Sequence, residues 1–363
     1  MKPRLMELLC CPACGGDLTV ESWEQHRNGE AVEIIEGRLS CACGECYPIV
    51  GGVPRMLRGH LLAECLHGYH AEFLARHGAS FPAVPPARTS DRKVATMHAF
   101  GYQWTTFVSN FQYYKEMFLS FVHPYLGEAD FKDRLVLDVG CGSGRPASIA
   151  CSLGAEVVGV DLSEAVQTAY EQTRTYPRLH VVQADAYALP FKPRFDFVFS
   201  VGVLQHLPNP AEAVKSIARV VPANHKVVLW VYGTREWWYQ PIEWMRTVTK
   251  RMPHRLLHGF SVLCAVLSEV FLLVPYRILS ALPWTRRLAE RIPGRIYARF
   301  PFRENVIGWF DRLVAPVTYY FSRADVETML RDAGFSQIEI YARPDASASW
   351  VVQAVKTPAA QTA

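Results

Sequence analysis

The residues best suited to binding a ligand lie in one short stretch, residues 135–145, whose sequence is LVLDVGCGSGR. Its apolar half predicts a strand buried on both faces, and Asp138 inside it needs a partner because a buried charge is costly. Five small residues follow: Gly140, Cys141, Gly142, Ser143 and Gly144. Arg145-Pro146 then opens a helix, since proline is tolerated in a first helical turn. Such a strand–turn–helix lets a ligand approach the backbone and its free N–H groups.

Further acids follow the next predicted strands. Asp161 ends the strand at 156–161, and it lies 23 residues after Asp138. An acid at this spacing can accept hydrogen bonds from both hydroxyls of a ribose. Because ligands bind beyond the carboxyl ends of parallel strands, five residues at strand ends are expected at one edge: Gly140, Asp161, Asp185, Ser200 and His206.

The order of these features resembles the class I S-adenosylmethionine (SAM) dependent methyltransferases. Their motif I has the spacing G-x-G-x-G after an acid, one residue shorter than the dinucleotide fingerprint. The segment DAYALPF, with Asp185 and Ala186, resembles the one in which the family's aspartate accepts the adenine amino group. The resemblance is closest to the type 11 group and covers roughly residues 100–356.

This resemblance implies a fold and a reaction. The fold is α/β, a doubly wound and mostly parallel seven-stranded sheet with helices on both faces. The reaction is in-line transfer of a methyl group from SAM to an oxygen, nitrogen or carbon acceptor. The implied cofactor-binding residues are Asp138, Gly140, Cys141, Gly142, Gly144, Asp161, Leu162, Asp185, Ala186 and Ser200.

Two further regions bear on catalysis and cofactor binding. His206, in the loop after the fourth strand, is the best-placed general base, because its pKa suits that work. Alternatively it orders the loop without titrating. Tyr102 and Trp104 lie in FGYQW, which resembles a stretch before motif I in fused enzymes of this kind. They would cap the cofactor pocket, where an aromatic face attracts a sulfonium cation, or else pack their rings on the core.

The N-terminal segment carries a second chemistry. Six of the ten cysteines lie between residues 10 and 46. Cys11 and Cys14 form a C-P-x-C-G knuckle, and Cys41, Cys43 and Cys46 form a second group. Four thiolates from two knuckles make a closed tetrahedral zinc site, which stabilises a small module and leaves no position for catalysis.

The CPAC knuckle, CG, YPI and GVPRML resemble the zinc-ribbon-like domain that activates tRNA and protein methyltransferases, over roughly residues 5–57. The same domain is fused to the front of many bacterial SAM enzymes. This chain departs from the family pattern, because Ser40 stands where the second knuckle usually has its first cysteine. Either Cys41 or Cys46 must therefore replace it. Cys41 is favoured, because Gly44 then follows Cys43 as Gly15 follows Cys14.

The predicted organisation has four parts. Residues 1–58 form the ribbon module, and 59–95 a helical segment with a proline-rich linker. Residues 96–356 form the methyltransferase domain, within which 233–334 is an insert that sets substrate specificity. The tail at 357–363 is expected to be disordered.

The insert contains a helix with a wide apolar face. Its apolar run between Gly259 and Pro275 contains Glu269 and is shorter than the about 20 residues of a membrane span. Residues 250–303 hold ten Lys/Arg and two Asp/Glu. One interpretation is a buried lid helix with solvated arginines. The other is a lipophilic or anionic acceptor, presented at an anionic membrane surface.

Composition limits the alternatives. The net charge of +4 is too small to indicate a basic, nucleic-acid-binding surface over the whole chain. Clustered cysteines without an export signal favour metal over disulfides and predict a cytoplasmic location, with peripheral membrane contact as the variant above. Two other functions stay open: a non-catalytic scaffold that binds a partner through the ribbon, and RNA or protein methylation. Methylation of an amide nitrogen would be expected to show an N-P-P-Y type motif, where this chain has VGVLQH. Neither the acceptor nor an oligomeric state follows from the sequence.

Overall fold

The protein is described from a computed structural model. It describes residues 1–28, 31–82, 92–107, 114–234, 240–292, 295–343 and 349–358. Most of the predicted proline-rich linker and most of the predicted disordered tail lie outside these residues. The division into domains given above therefore stays a prediction.

Within the described residues, one continuous sheet of eleven strands runs through the molecule, in the order β1-β2-β3-β4-β7-β6-β5-β8-β9-β11-β10. The strands are β1 Leu18–Asn28, β2 Ala31–Cys41, β3 Cys46–Val50, β4 Val53–Met56, β5 Leu135–Val139, β6 Glu156–Asp161, β7 Leu179–Ala184, β8 Phe197–Val201, β9 Lys226–Tyr232, β10 Phe335–Ala342 and β11 Ser349–Lys356. Strands β5 to β9 are parallel, and β11 is antiparallel to both of its neighbours. The seven strands from β7 to β10 confirm the predicted doubly wound sheet.

Helices cover both faces of this sheet. They are α1 Gly59–Tyr69, α2 Ala71–His77, α3 Arg92–Thr106, α4 Tyr114–Val122, α5 Arg145–Ser152, α6 Ala165–Thr173, α7 Pro210–Val220, α8 Gln240–Thr249, α9 His254–Ser268, α10 Val274–Ala281, α11 Arg286–Ala289, α12 Phe302–Val314 and α13 Arg323–Asp332. Successive strand residues point to opposite faces, so Val136 packs with α4, α5 and α6 while Leu137 packs with α7 and α13. This buries each strand on both sides and fixes the edge at which the strands end.

The N-terminal ribbon is part of the same sheet. Strand β4 pairs in parallel with β7, with Arg55 opposite Gln183 and Met56 opposite Ala184. Apolar residues of the ribbon, such as Leu39 and Tyr47, belong to the core that also contains strand residues of β5 to β7. The sequence did not predict this continuity, because VPRM, with its proline and arginine, is typical of the end of a module.

The insert helix is longer than the sequence indicated. A π turn, Glu269–Leu273, joins α9 to α10, so the helical path runs from His254 to Ala281. Pro275 occupies the second position of α10, where a missing N–H is tolerated, and does not end the path. The expectation of a run too short for a span was therefore wrong. By length and composition alone, this helix is long and apolar enough to cross a membrane. A third of its most apolar 18-residue stretch is buried inside the protein.

Candidate active site

A cleft opens at the carboxyl ends of β5 to β8. It holds about 950 Å³, counted with the solvent in its mouth, which is within the usual range for small-molecule sites. The glycine turn after β5 forms its floor, and residues after β6, β7 and β8 line its sides. Of the residues predicted to bind cofactor, eight line it: Gly140, Cys141, Gly142, Asp161, Leu162, Asp185, Ala186 and Trp104.

The glycine turn is close-packed on both sides. Gly140 has a φ of +85°, and a Cβ there would lie 2.1 Å from a methyl group of Val203. Gly142 has a φ of +53°, and a Cβ there would lie 3.2 Å from the Trp104 ring, which covers the turn. The Cys141 sulfur packs against Gly159, and burial raises the pKa of its thiol well above the ordinary range. Its role is therefore to fill space in the turn.

Two acids stand beside this turn in different environments. The Asp161 carboxylate accepts hydrogen bonds from the Gly142 N–H at 3.0 Å and from the N–H and hydroxyl of Ser163 at 2.8 and 2.7 Å. A carboxylate has about four acceptor positions, so one stays available to a ligand. Asp138 is 1% exposed, and its Oδ2 has no hydrogen-bond partner among the described residues. Burial and the nearby charge of Asp161 raise the pKa of Asp138 well above its usual range.

At the other end of the cleft, Asp185 already has a cationic partner. Its Oδ2 accepts from Lys93 at 2.6 Å, and its Oδ1 accepts from the Tyr187 N–H at 3.0 Å. The Lys93 ammonium also lies 3.9 Å from the centre of the Tyr187 ring. Because Lys93 is on α3, far away in sequence, no pattern around motif I indicated it.

Arg145 was missed as a site residue although it directly follows the glycine turn. It lines the cleft and is only 5% exposed. Its guanidinium lies between the rings of Trp104 and Tyr114, at 4.6 and 4.3 Å from their centres. The carboxylate of Glu304 is 3.7 Å away. Arg145 therefore places a rigidly held positive charge beside the turn.

Four predicted residues do not line the cleft. Asp138 lies behind the turn, and Gly144 begins α5 with a φ of +84°, facing Ala169. The Ser200 hydroxyl donates to the Val139 carbonyl at 2.7 Å. Tyr102 packs against Phe310 and His254 instead of covering the cleft.

The four cysteines favoured as metal ligands are brought together. The ligand sulfurs of Cys11, Cys14, Cys41 and Cys43 all lie within 4.8 Å of one another. The Cys11–Cys43 and Cys14–Cys41 sulfurs are 3.7 and 3.5 Å apart, close to the about 3.8 Å that tetrahedral zinc with 2.3 Å bonds would give. Cys46 is directed elsewhere, with its sulfur 3.7 Å from the Ser40 hydroxyl. The donor set therefore fits zinc.

Comparison with known families matches both regions. Residues 137–229 match the model of a methyltransferase domain, and residues 2–52 match that of the Trm112p-like proteins. The chain carries a methyltransferase domain joined to a Trm112p-like domain. This confirms the family resemblance read from motif I and from the cysteine knuckles.

Curated relatives match about a third of the chain or less. A ubiquinone biosynthesis O-methyltransferase of Alkalilimnicola ehrlichii is 35% identical over 123 residues, 30% of this chain and 45% of the relative. A tRNA U34 carboxymethyltransferase of Pseudoalteromonas atlantica is 32% identical over 112 residues, 30% of this chain and 34% of the relative. The chain thus spans less than half the length of these relatives.

Among solved structures, a complex between the Haloferax volcanii Trm112 methyltransferase activator and a methyltransferase is similar at a TM-score of 0.42. The identity is 14%, over 73% of this chain and 97% of that one. This similarity is weak.

The methyltransferase domain places His206 at the inner wall of the cleft. The imidazole is 5% exposed, and its Nδ1 is 3.1 Å from the Val317 carbonyl, which requires a proton on Nδ1. Burial lowers the pKa of His206, although the charge of Asp311 acts in the opposite direction. Nε2 of the neutral ring is then left as the acceptor.

The insert contributes Asp311 to the same wall. This residue of α12 accepts from Gln103 Nε2 at 2.9 Å and from the Tyr232 hydroxyl at 3.4 Å. Tyr232 also contacts the His206 ring edge to face. The insert therefore completes the cleft opposite the glycine turn, and sequence spacing could not have shown this.

Proposed function

We propose that the protein transfers a methyl group from SAM to a hydroxyl, amine or carbon acid of a small acceptor. The observation that supports this best is the cleft itself, where the glycine turn, Asp161 and His206 meet. The curated relatives that are O-methyltransferases, 35% and 39% identical over 30% and 26% of this chain, favour a hydroxyl acceptor.

The residues present fit SAM. Leu162 offers an apolar surface for adenine, and Asp161 retains acceptor capacity for a ribose hydroxyl. The buried cation of Arg145 is suited to a carboxylate, which it would bind through charge-assisted hydrogen bonds. Asp185 would exchange part of its contact with Lys93 for the adenine amino group. When bound, SAM supplies an activated methyl group, so the protein's main task is alignment.

The experiment that tests this function is calorimetric titration of the full chain with SAM. We expect micromolar-range binding, weakened about 10- to 100-fold by Asp161→Ala, because a hydrogen bond to a charged group contributes about 1.5–3 kcal/mol. Asp133→Ala is the matched control, since that carboxylate is 72% exposed, outside the cleft. Absence of SAM binding by the wild type would overturn the proposal and favour a non-catalytic scaffold.

We further propose that His206 is the general base. Its Nε2 would take the proton of an acceptor hydroxyl while Nδ1–H stays bonded to the Val317 carbonyl. Asp311, held by Gln103 and Tyr232, would stabilise the imidazolium that forms. A buried base of this kind is ready at neutral pH because it is uncharged there.

For His206 we expect an imidazole pKa below the usual value of about 6.5, measured by NMR titration with His206→Asn to assign the signal. The pKa is lowered because burial disfavours the charged ring. The residue therefore becomes protonated only when the pH falls below the usual value of about 6.5. In turnover with a methyl acceptor, His206→Asn should lower kcat about 10²-fold and remove the acid limb of the pH profile. An unshifted pKa together with an unchanged profile would leave His206 as a residue that only orders the loop.

The Cys11, Cys14, Cys41 and Cys43 cluster is proposed to hold structural zinc. Tyr47, fully buried, has its hydroxyl 3.2 Å from the Cys11 sulfur and would orient that ligand. Because four thiolates close the coordination sphere, the metal would contribute to folding and not to methyl transfer. The cysteine usage is consistent with the reducing conditions of the cytoplasm, where we place the protein.

RNA methylation is the competing assignment. The observation in its favour is the tRNA-modifying relative, which is 32% identical over 30% of this chain. Incubation with labelled SAM and either bulk tRNA or small phenolic acceptors separates the two, and we expect label only in the small acceptors.

A further inference from the structure

The insert helix packs against the protein by its small and polar side. On the inner face of α9, the small residues Ser261, Cys264, Ala265 and Ser268 are buried, together with Leu257. The Ser268 hydroxyl accepts hydrogen bonds from Asn305 Nδ2 at 2.9 Å and Trp309 Nε1 at 3.1 Å, both on α12. Small residues and interhelical hydrogen bonds are the packing usual between helices in lipid.

The outer face of the same helix is apolar and uncovered. Its large side chains recur at helical spacing and form one stripe: Leu256, Leu263, Val266, Leu267, Val270, Phe271, Val274 and Ile278. Leu256 is 66% exposed and Phe271 70%. Just beyond the helix, Trp284 is 81% exposed. The interpretation of a buried lid helix is thus wrong, because the apolar stripe points away from the core.

Exposed arginines lie near both ends of this helix in the sequence. Arg255 lies at the start of α9, and Arg286, Arg287 and Arg291 lie just past Trp284. The segment 250–303 carries ten basic and two acidic residues, a net charge of +8 against +4 for the chain. An apolar face with basic residues near both ends of its helix is complementary to anionic lipid headgroups above acyl chains.

We propose that this face binds the surface of an anionic lipid bilayer, with the helix lying in the membrane plane. The apolar stripe enters the boundary between headgroups and acyl chains, and the arginines contact lipid phosphates. Both the apolar burial and the electrostatic attraction contribute to binding.

Two alternatives are less compatible with the structure. A span through the bilayer would take α12 with it, because α9 is hydrogen-bonded to α12, and α12 carries Asp311 into the cleft. A second copy seated on the stripe would bring the same arginines against one another, and like charges at an interface are costly. The surface of a bilayer can bury the apolar stripe and contact the arginines at the same time.

Resting on the proposed function, the position of the membrane face also indicates the class of acceptor. Helix α9, whose outer side is the membrane face, packs on α12, and α12 contributes Asp311 to the cleft. The membrane face and the catalytic wall therefore belong to adjoining helices, which suits an acceptor dissolved in the bilayer. The acceptor class would then be a lipophilic molecule with a methylatable polar end.

Co-sedimentation of the full chain with vesicles tests this. We expect binding to phosphatidylcholine vesicles with about 30% phosphatidylglycerol, weaker binding to phosphatidylcholine alone, and loss as NaCl rises from about 0.1 M to about 0.5 M. Leu263→Gln/Leu267→Gln/Phe271→Gln and Arg286→Gln/Arg287→Gln should each weaken binding at least about tenfold. The controls are Val20→Gln, on the ribbon, and Arg174→Gln/Arg331→Gln, exposed arginines outside the basic segment 250–303.

Three results would overturn the inference: wild-type protein that does not sediment with anionic vesicles at low salt, an apolar triple variant that binds like the wild type, or a wild-type dimer that the triple variant turns into a monomer. SAM affinity is measured on the same samples without vesicles and should be equal in all variants. Vesicle binding by a protein that binds no SAM would remove the proposed function and leave the membrane face standing.

Discussion

Replacing Cys43 by serine is expected to remove the bound metal and lower the melting temperature of the whole chain by about 10 °C or more. Structural zinc contributes many kcal/mol to small modules, and each kcal/mol shifts the melting temperature of a domain this large by about 2–4 °C. The loss should affect the entire chain because Leu39 and Tyr47 of the ribbon share a core with the methyltransferase strands. A single transition is therefore expected, measured by calorimetry with metal content by mass spectrometry.

Cys46→Ser is the matched control for this change. It makes the same replacement three residues away, on a thiol whose nearest polar neighbour is the Ser40 hydroxyl and not the other sulfurs. We expect one zinc per chain and little change in melting temperature. Equal metal content in the Cys43 and Cys46 variants would contradict the four-thiolate site, and two separate transitions in the wild type would contradict the shared core.

The sequence predicted those features of the fold and the site that depend on local residue patterns. Gly140 and Gly142 follow a buried strand, and both adopt a positive φ, which favours glycine. Their spacing therefore marks the turn in the sequence. Asp161 and Asp185 were expected near the turn because they end strands that pair in order. The capping box of Ser322 and Asp325 at the start of α13 is a feature of the same local kind, because it depends on an S-x-x-D pattern within four residues.

What the sequence did not predict depends on tertiary contacts. Lys93 and Asp311 come from helices on either side of motif I, and their distance to the cleft is set by how those helices pack. The orientation of α9 is a similar case. Periodicity shows that Leu263 and Ser261 lie on different faces, but not which face another helix covers. Here Asn305 and Trp309 of α12 select the serine face.

A single buried residue, Arg55, makes several of the contacts between the ribbon and the methyltransferase domain. Arg55 of β4 is fully buried at its place in the sheet beside β7. Its guanidinium donates to Glu164 at 3.2 Å, to the Gln183 side chain at 3.0 Å and to the Gln167 side chain at 2.7 Å. All three partners belong to the methyltransferase domain, and Glu164 directly follows Ser163, which bonds Asp161 of the cleft.

Arg55→Met is therefore expected to lower the free energy of unfolding by about 3–5 kcal/mol, the cost of leaving a buried charge without its partner. Denaturant unfolding measures it. Arg58→Met is the matched control, an arginine three residues on whose side chain is 49% exposed and pairs with Glu45 at 3.2 Å. An exposed pair contributes about 0–1 kcal/mol, so the control should stay within that range. Equal losses in both variants would contradict an inter-domain role for Arg55.

The pH dependence of Arg55→Met tests whether Glu164, which keeps its contact with His70 at 3.1 Å, is the carboxylate that loses its arginine partner. In the wild type, burial raises the pKa of Glu164, but the charge of Arg55 and the contact with His70 outweigh it, so the pKa lies below its ordinary value. That contribution is present at neutral pH and is lost as the pH falls through the lowered pKa. Without Arg55, burial dominates and the pKa rises above the ordinary value, so the variant should recover stability, relative to the wild type, as the pH drops towards about 4–5. Glu164→Gln in the Arg55→Met background should recover part of the loss at neutral pH, because it removes the unpaired charge itself; a double variant no more stable than Arg55→Met alone would assign the cost to the lost amide contacts instead.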